Sequence, residues 1–194
     1  YYRVRAVNEK GQSLSSNRVS TDIPLWIKKA IKEEDQDKVS YDAETNTITF
    51  KDDVVLQDTL VLPGEDKTVI DLGGQTVTAP EGKPAVSAGS GKDVELSIVS
   101  TNDESSTGQT GTIVGNGTDG SGNGAPVIDF RSASGNSAIT VTASKVSAGS
   151  GSNSESGNGG NGGTGIAAGS NTKVEVGAGS EITGGNGGNG ITGN

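Results

Sequence analysis

Asp129-Phe130-Arg131 is a stretch of this chain whose residue types could do chemistry. Arg131 is the only arginine after residue 18, with Lys145 as its nearest basic neighbour in sequence. In a strand, Asp129 and Arg131 share one outward face. The expected outcome is a solvent-facing ion pair worth about 0–1 kcal/mol. Glycoside hydrolysis needs two carboxylates gathered around one bond; Asp66, Asp71 and Asp93 fall on different segments, and no pair stands out. Asp119-Gly-Ser121-Gly-Asn123-Gly124 places oxygen donors at positions 1, 3 and 5 and glycine at 6, as an EF-hand loop does. Its twelfth position is Phe130 rather than Glu, so calcium lacks its bidentate ligand and an ordinary glycine-rich loop is expected. Thr47-Ile48-Thr49, Thr76-Val77-Thr78 and Thr140-Val141-Thr142 each set two hydroxyls around an inward aliphatic. Stacked threonines make the flat face of some ice-binding solenoids, but Val174-Glu175-Val176 breaks the pattern, and threonine at outward strand positions is ordinary by propensity.

The missing residue types narrow the field further. The chain has no Cys, His or Met. Disulfides, thiolate or imidazole metal sites and Ser-His-Asp catalysis are therefore excluded. No catalytic, cofactor-binding or metal-binding residue is assigned, and no cofactor is expected. The net charge is −9, and nearly all of it lies after residue 53. Such a surface repels phosphate, so nucleic acid is not an expected partner. No apolar run approaches the roughly 20 residues that span a bilayer, so no membrane insertion is expected.

These side chains must be positioned by two unlike pieces. Tyr1, Tyr2, Trp26, Tyr41 and Phe50 hold every aromatic ring but Phe130, whereas every glycine but Gly11 lies after residue 53. Tyr2, Val4 and Ala6 alternate with Arg3, Arg5 and Val7 as a strand, Asn8 to Gly11 supply a turn, and Ser13 to Ser20 can return with Leu14 and Val19. Pro24 opens a helix expected over about 24–34, capped by Asp22, with Trp26, Ile27, Ala30 and Ile31 as its apolar stripe. That stripe is expected to cover the end of the next domain, with Trp26 buried against residues such as Phe50, Val54 or Leu56.

From residue 46 onward, strands of three to five residues recur between Gly, Asn and Ser. Their inward candidates are Ile48/Phe50, Val54/Leu56, Leu60/Leu62, Ile70/Leu72, Val77, Val94/Leu96/Ile98, Ile113, Ile128/Phe130, Ile139/Val141, Val146, Ile166, Val174/Val176, Ile182 and Ile191. Small aliphatics, corner glycines and self-similarity favour a solenoid over a sandwich. Ile139 to Val146 returns as Val174 to Ile182, about 35 residues on, and Asn158-Gly-Gly-Asn161-Gly-Gly returns as Asn186-Gly-Gly-Asn189-Gly, 28 on. Asn-Gly-Gly has period three, which matches an extended left-handed coil of three residues per turn. Residues 158–163 and 186–190 are expected on the same side of successive coils, paired backbone to backbone, with short Asn amide ladders. The alternative is a pair of flexible loops.

Two resemblances sharpen this reading. Tyr2, Val4, Ala6, Asn8, Gly11 and Ser13 resemble the last two strands of a fibronectin type III domain, which implies a β-hairpin remnant of a β-sandwich over residues 1–22. Thr68-Val-Ile-Asp71-Leu-Gly-Gly-Gln-Thr-Val-Thr78 resembles an early rung of the pectate-lyase-like class. It implies an all-β fold, a right-handed parallel β-helix over residues 45–194, truncated at its C-terminus, with a short N-terminal capping helix and linker over 23–44. Lyases of that class use acidic calcium clusters with Arg or Lys as base, which would make the Asp129–Arg131 pair the place for such a role. The combination resembles large surface proteins of Gram-positive bacteria. The chain opens within a strand and closes within a repeating phrase, so it is expected to be a fragment of something larger. The expected function is non-enzymatic: an extracellular stalk or adhesin domain at the bacterial cell wall, facing a surface glycan or protein. A polysaccharide lyase or hydrolase is the alternative, and an ice-binding solenoid a further one.

Overall fold

The computed structural model describes residues 7–8, 11–12, 23–64, 66–101, 110–133, 136–155 and 157–190. Near the N-terminus, β1 (Val7–Asn8) and β2 (Gly11–Gln12) pair antiparallel, Asn8 opposite Gly11. The remainder of the expected hairpin, the Asp22 cap and Ile191 lie outside the described residues. Then follow helix α1 (Leu25–Lys28), a 3-10 turn (Glu33–Lys38) and β3 (Val39–Asp42), which pairs antiparallel with β4 (Thr47–Phe50). Residues 39–42, read as linker from sequence, are thus a strand.

After β4 every strand pairing is parallel. β5 (Val54–Val55) and β6 (Leu60–Leu62) complete one circuit, and β7 (Thr68–Asp71), β8 (Thr76–Thr78) and β9 (Val86–Ala88) a second. β10 (Glu95–Val99), β11 (Gly111–Val114) and β12 (Ile128–Asp129) form the third. β13 (Ser137–Val141), β14 (Ser144–Ser147) and β15 (Ile166–Ala167) form the fourth, and β16 (Thr172–Val176) and β17 (Glu181–Thr183) open a fifth. Each circuit contributes one strand to each of three sheets, ordered β3-β4-β7-β10-β13-β16, β5-β8-β11-β14-β17 and β6-β9-β12-β15. The protein is all-β with parallel sheets, consistent with a β-solenoid.

Alternation decides what fills the interior, because period 2 sends every second side chain inward. Identical positions then stack from coil to coil: Ile48, Ile70, Ile98, Val141 and Val176 in the first sheet, Val54, Val77, Ile113, Val146 and Ile182 in the second, Leu60, Val86, Ile128 and Ile166 in the third. All the inward candidates from Ile48 to Val146 are buried. The sequence reading missed Ala79, Ala85, Val86, Ala88 and Val127, which are buried as well. At the last coil the ladder comes to the surface: Val174 is 39% and Val176 54% exposed, and Ile166 and Ile182 are half-buried.

The first coil is covered differently. β3 occupies the free edge of β4, and Ile27, Ala30 and Ile31 are fully buried in the core. The helix is a single turn rather than the expected 24–34. Its unwinding has a partner: Gln57 donates its backbone N–H to Ala30 O (2.9 Å) and its Nε2 to Lys29 O (3.1 Å) and Ile31 O (3.2 Å). Carbonyls of the would-be second turn thus bond to the connection between β5 and β6. Trp26 is half-buried, packed against the core cluster that holds Phe50, Val54 and Leu56, and its ring meets Tyr41 edge-on at 6.5 Å. Burial rather than ring size then sets the energetic ranking. Ile31→Ala is expected to cost about 2–5 kcal/mol, whereas Trp26→Ala, which removes a partly wet ring, is expected to cost about 1–2 kcal/mol. Denaturant midpoints of the two variants check the order.

Candidate functional site

The glycine-rich segments build the most distinctive surface. Three of them come together: 149–154 after β14, 158–163 before β15, and 184–190 after β17. Gly163 donates to Gly149 O (2.8 Å) and Gly160 to Ser152 O (2.8 Å), so the first two run antiparallel as a hairpin. Gly185 donates to Gly163 O (2.9 Å) and Gly188 to Gly160 O (2.7 Å). Gly151 and Ser154 donate to Asn186 O and Asn189 O, parallel and 35 residues apart. The donors recur every third residue, the spacing of an extended threefold coil. The hairpin also rests on the preceding coil, where Ser152 N–H bonds to Gly122 O (2.9 Å) and Gly124 N–H to Asn161 O (2.8 Å).

Glycine is required here by contact. A Cβ at Gly160 would fall on the Gly122 carbonyl oxygen, one at Gly162 on Gly185 O, one at Gly188 on Ser152 O. The expected backbone pairing of 158–163 with 186–190 is therefore present, with two corrections. The two phrases run antiparallel, since 158–163 is the returning arm of a hairpin, and 151–154 is the coil equivalent of 186–189. The amides also do not ladder with each other where the structure pairs them: Asn123 Oδ1 accepts from Asn161 N–H (2.9 Å) and Asn153 Oδ1 from Asn189 N–H (2.8 Å).

The residues singled out for chemistry are mostly engaged in structure. Arg131 donates Nε to Asp129 Oδ1 (2.9 Å) and Nη2 to Asp129 Oδ2 (2.6 Å), a bidentate pair. Lys145, on β14, is 3.4 Å from Glu181, its own ion-pair partner. Asp71, at the C-terminal end of β7, is buried and accepts from the N–H of Gly73 and from the N–H and hydroxyl of Thr101 in the next coil. Asp66 and Asp93 line one open pocket with Lys67, Glu95 and Asn136. Sequence separation concealed that shared lining, because coil length decides which connections stack. Asp119 folds its own loop, Oδ1 accepting from Ser121 N–H (2.8 Å) and Asn123 N–H (3.0 Å). Among the described residues no three acidic side chains gather as a metal cluster would require. The threonine triplets fall on two sheets, and the outward ladder of the first reads Thr47, Val69, Ser97, Thr140, Glu175. A second concave surface lies beside α1, lined by Leu25, Trp26, Lys29, Asp58, Thr59 and Val61.

The hydrogen bonds from Arg131 hold the Asp129 carboxyl below its usual range, against the opposing effect of burial. A depressed carboxyl stabilises the fold above its ordinary pKa, and that contribution disappears as pH falls through the lowered value. With Arg131 largely exposed, it amounts to about 0–1 kcal/mol. Carboxyl NMR titration is expected to place Asp129 low in the native chain and back toward the ordinary range in Arg131→Ala.

Among known proteins, no family model, no curated protein and no solved structure matches this chain.

Proposed function

We propose that this chain is a non-enzymatic extracellular module, a stalk or adhesin-type domain of a bacterial cell-wall-associated protein. In this reading residues 45–194 are a right-handed parallel β-helix of the pectate-lyase-like class, the handedness that parallel crossovers adopt in nearly all cases. The tail of a fibronectin type III-like module precedes it. The observation that carries the reading is the glycine ridge: segments from three coils are bonded backbone to backbone into a stiff flank, at the conformational cost of ordering many glycines. Such a flank suits display or lateral contact with a surface glycan or protein. The pairing of Arg131 with Asp129, and of Lys145 with Glu181, favours the same reading over a lyase. Incubation with pectin, alginate and host glycans, with and without calcium, is expected to give retention on a glycan or protein surface and no unsaturated product. Turnover of any of them would sink the proposal in favour of a lyase.

A further inference from the structure

Six asparagines of this chain precede glycine: Asn116, Asn123, Asn158, Asn161, Asn186 and Asn189. An Asn-Gly bond is chemically labile because the glycine nitrogen, unshielded by a side chain, can attack the asparagine Cγ. The N–Cγ bond forms as the Cγ–Nδ2 bond breaks and ammonia leaves, carrying off the amide proton. Water then opens the resulting succinimide at either carbonyl, giving aspartate or isoaspartate with no change in oxidation state. The attack requires the Asn-Gly peptide plane to swing toward the side chain, so a hydrogen bond to the asparagine carbonyl opposes it.

The folded chain holds five of the six planes in this way. Asn116 O accepts from Gly82 N–H, Asn123 O from Asp119, Asn161 O from Gly124, Asn186 O from Gly151 and Asn189 O from Ser154, all at 2.7–2.9 Å. At Asn123 the attacking nitrogen is itself engaged, since Gly124 N–H donates to Asn161 O, and the target amide accepts from Asn161 N–H. Among the described residues no bond reaches the carbonyl of Asn158. It is exposed at the start of the returning hairpin arm, directly after Gly157 at φ +96°. We infer that Asn158-Gly159 is the modification site of the ridge, deamidating spontaneously in water while the other five Asn-Gly bonds are protected by the hydrogen bonds that their carbonyls accept. The product puts a second carboxylate near Glu155 at the tip of the ridge, and the isoaspartyl form adds a methylene to its main chain.

Peptide mapping of the native chain after incubation at mildly alkaline pH tests this. Asn158 is expected to convert about tenfold or more faster than the other five, each of which must first release a backbone hydrogen bond by local opening. In urea all six are expected to converge on similar rates. In Gly160→Ala, whose added methyl pries the ridge apart, Asn161, Asn186 and Asn189 are expected to rise toward the rate of Asn158. Equal native rates at all six, or an Asn158 that converts no faster than Asn123, would overturn the assignment. So would an unchanged pattern in Gly160→Ala that nonetheless shows lost amide protection.

Discussion

Gly160→Ala is expected to open the glycine ridge while leaving the parallel sheets folded. The new methyl would coincide with the carbonyl oxygen of Gly122, and the neighbouring atoms are backbone, which cannot rotate away as a side chain can. Gly160 also donates to Ser152 O and accepts from Gly188 N–H, so displacing it breaks the middle of the bundle. Overpacking of this kind costs about 1–3 kcal/mol or more. Because the ridge lies beside the aliphatic ladders rather than within them, the cost is expected to appear as local opening. Hydrogen exchange is expected to show Ser152, Gly163, Gly185 and Gly188 amides losing protection, while those of Ile98 and Val141 keep theirs. Gly120→Ala is the matched control, since nothing lies within 4 Å of a Cβ there and its φ is not positive. It is expected to leave exchange unchanged. Equal protection in Gly160→Ala and the parent chain would mean that the ridge is not packed as described.

Phe130→Ala is expected to be the most destabilising single truncation of the core. Phe130 is fully buried, and with Phe50 it is one of the two largest side chains that are. It sits where β12 ends, with its backbone N–H bonded to Ala167 O in the next coil (2.8 Å), so neighbouring coils have little freedom to collapse into the space it would leave. Buried Phe→Ala changes cost about 3–5 kcal/mol, a large part of the roughly 5–15 kcal/mol that holds a domain folded. At about 2–4 °C per kcal/mol for a chain of this size, thermal unfolding is expected to fall by roughly 6–20 °C. Val176→Ala, in the same stacking pattern but 54% exposed, is expected to cost well under half as much. A melting temperature for Phe130→Ala within a degree or two of the parent would place Phe130 outside the load of the core.

Local pattern carried much of this architecture. Alternation is a property of neighbouring residues, so Ile48/Phe50, Leu60/Leu62, Ile139/Val141 and the rest could be assigned to the interior from their own surroundings. The 35-residue return of Ile139–Val146 at Val174–Ile182 gave the register that the sheets adopt. The period of three in Asn-Gly-Gly likewise matches the hydrogen bonds that recur at every third residue, because glycine at two of every three positions suits places where backbones touch. Alanine carries no such signal. Ala79, Ala85 and Ala88 are as buried as the isoleucines, yet their small apolar area marks neither face of a strand.

By itself, then, the sequence determined the strand segments, the side chains that face inward from them and the period of three in the glycine phrases, since each follows from spacing within a few residues. Only the tertiary structure decided which of those segments are neighbours. Direction is one example: nothing in two similar phrases says that 158–163 folds back on 149–154 and meets 185–190 head to tail, because that depends on where the intervening turn closes. The helix is another, since residues 29–31 leave it for hydrogen bonds to Gln57, a residue 26 to 28 positions away whose competition no local propensity contains. Asp66 and Asp93 share a pocket because coil length brings their connections together, and Val174 and Val176 are wet because, among the described residues, no strand pairs with the outer edge of β16. Burial and adjacency are set by what packs on a residue from elsewhere in the chain, and that information lies in the closure of each coil rather than in the residues it places.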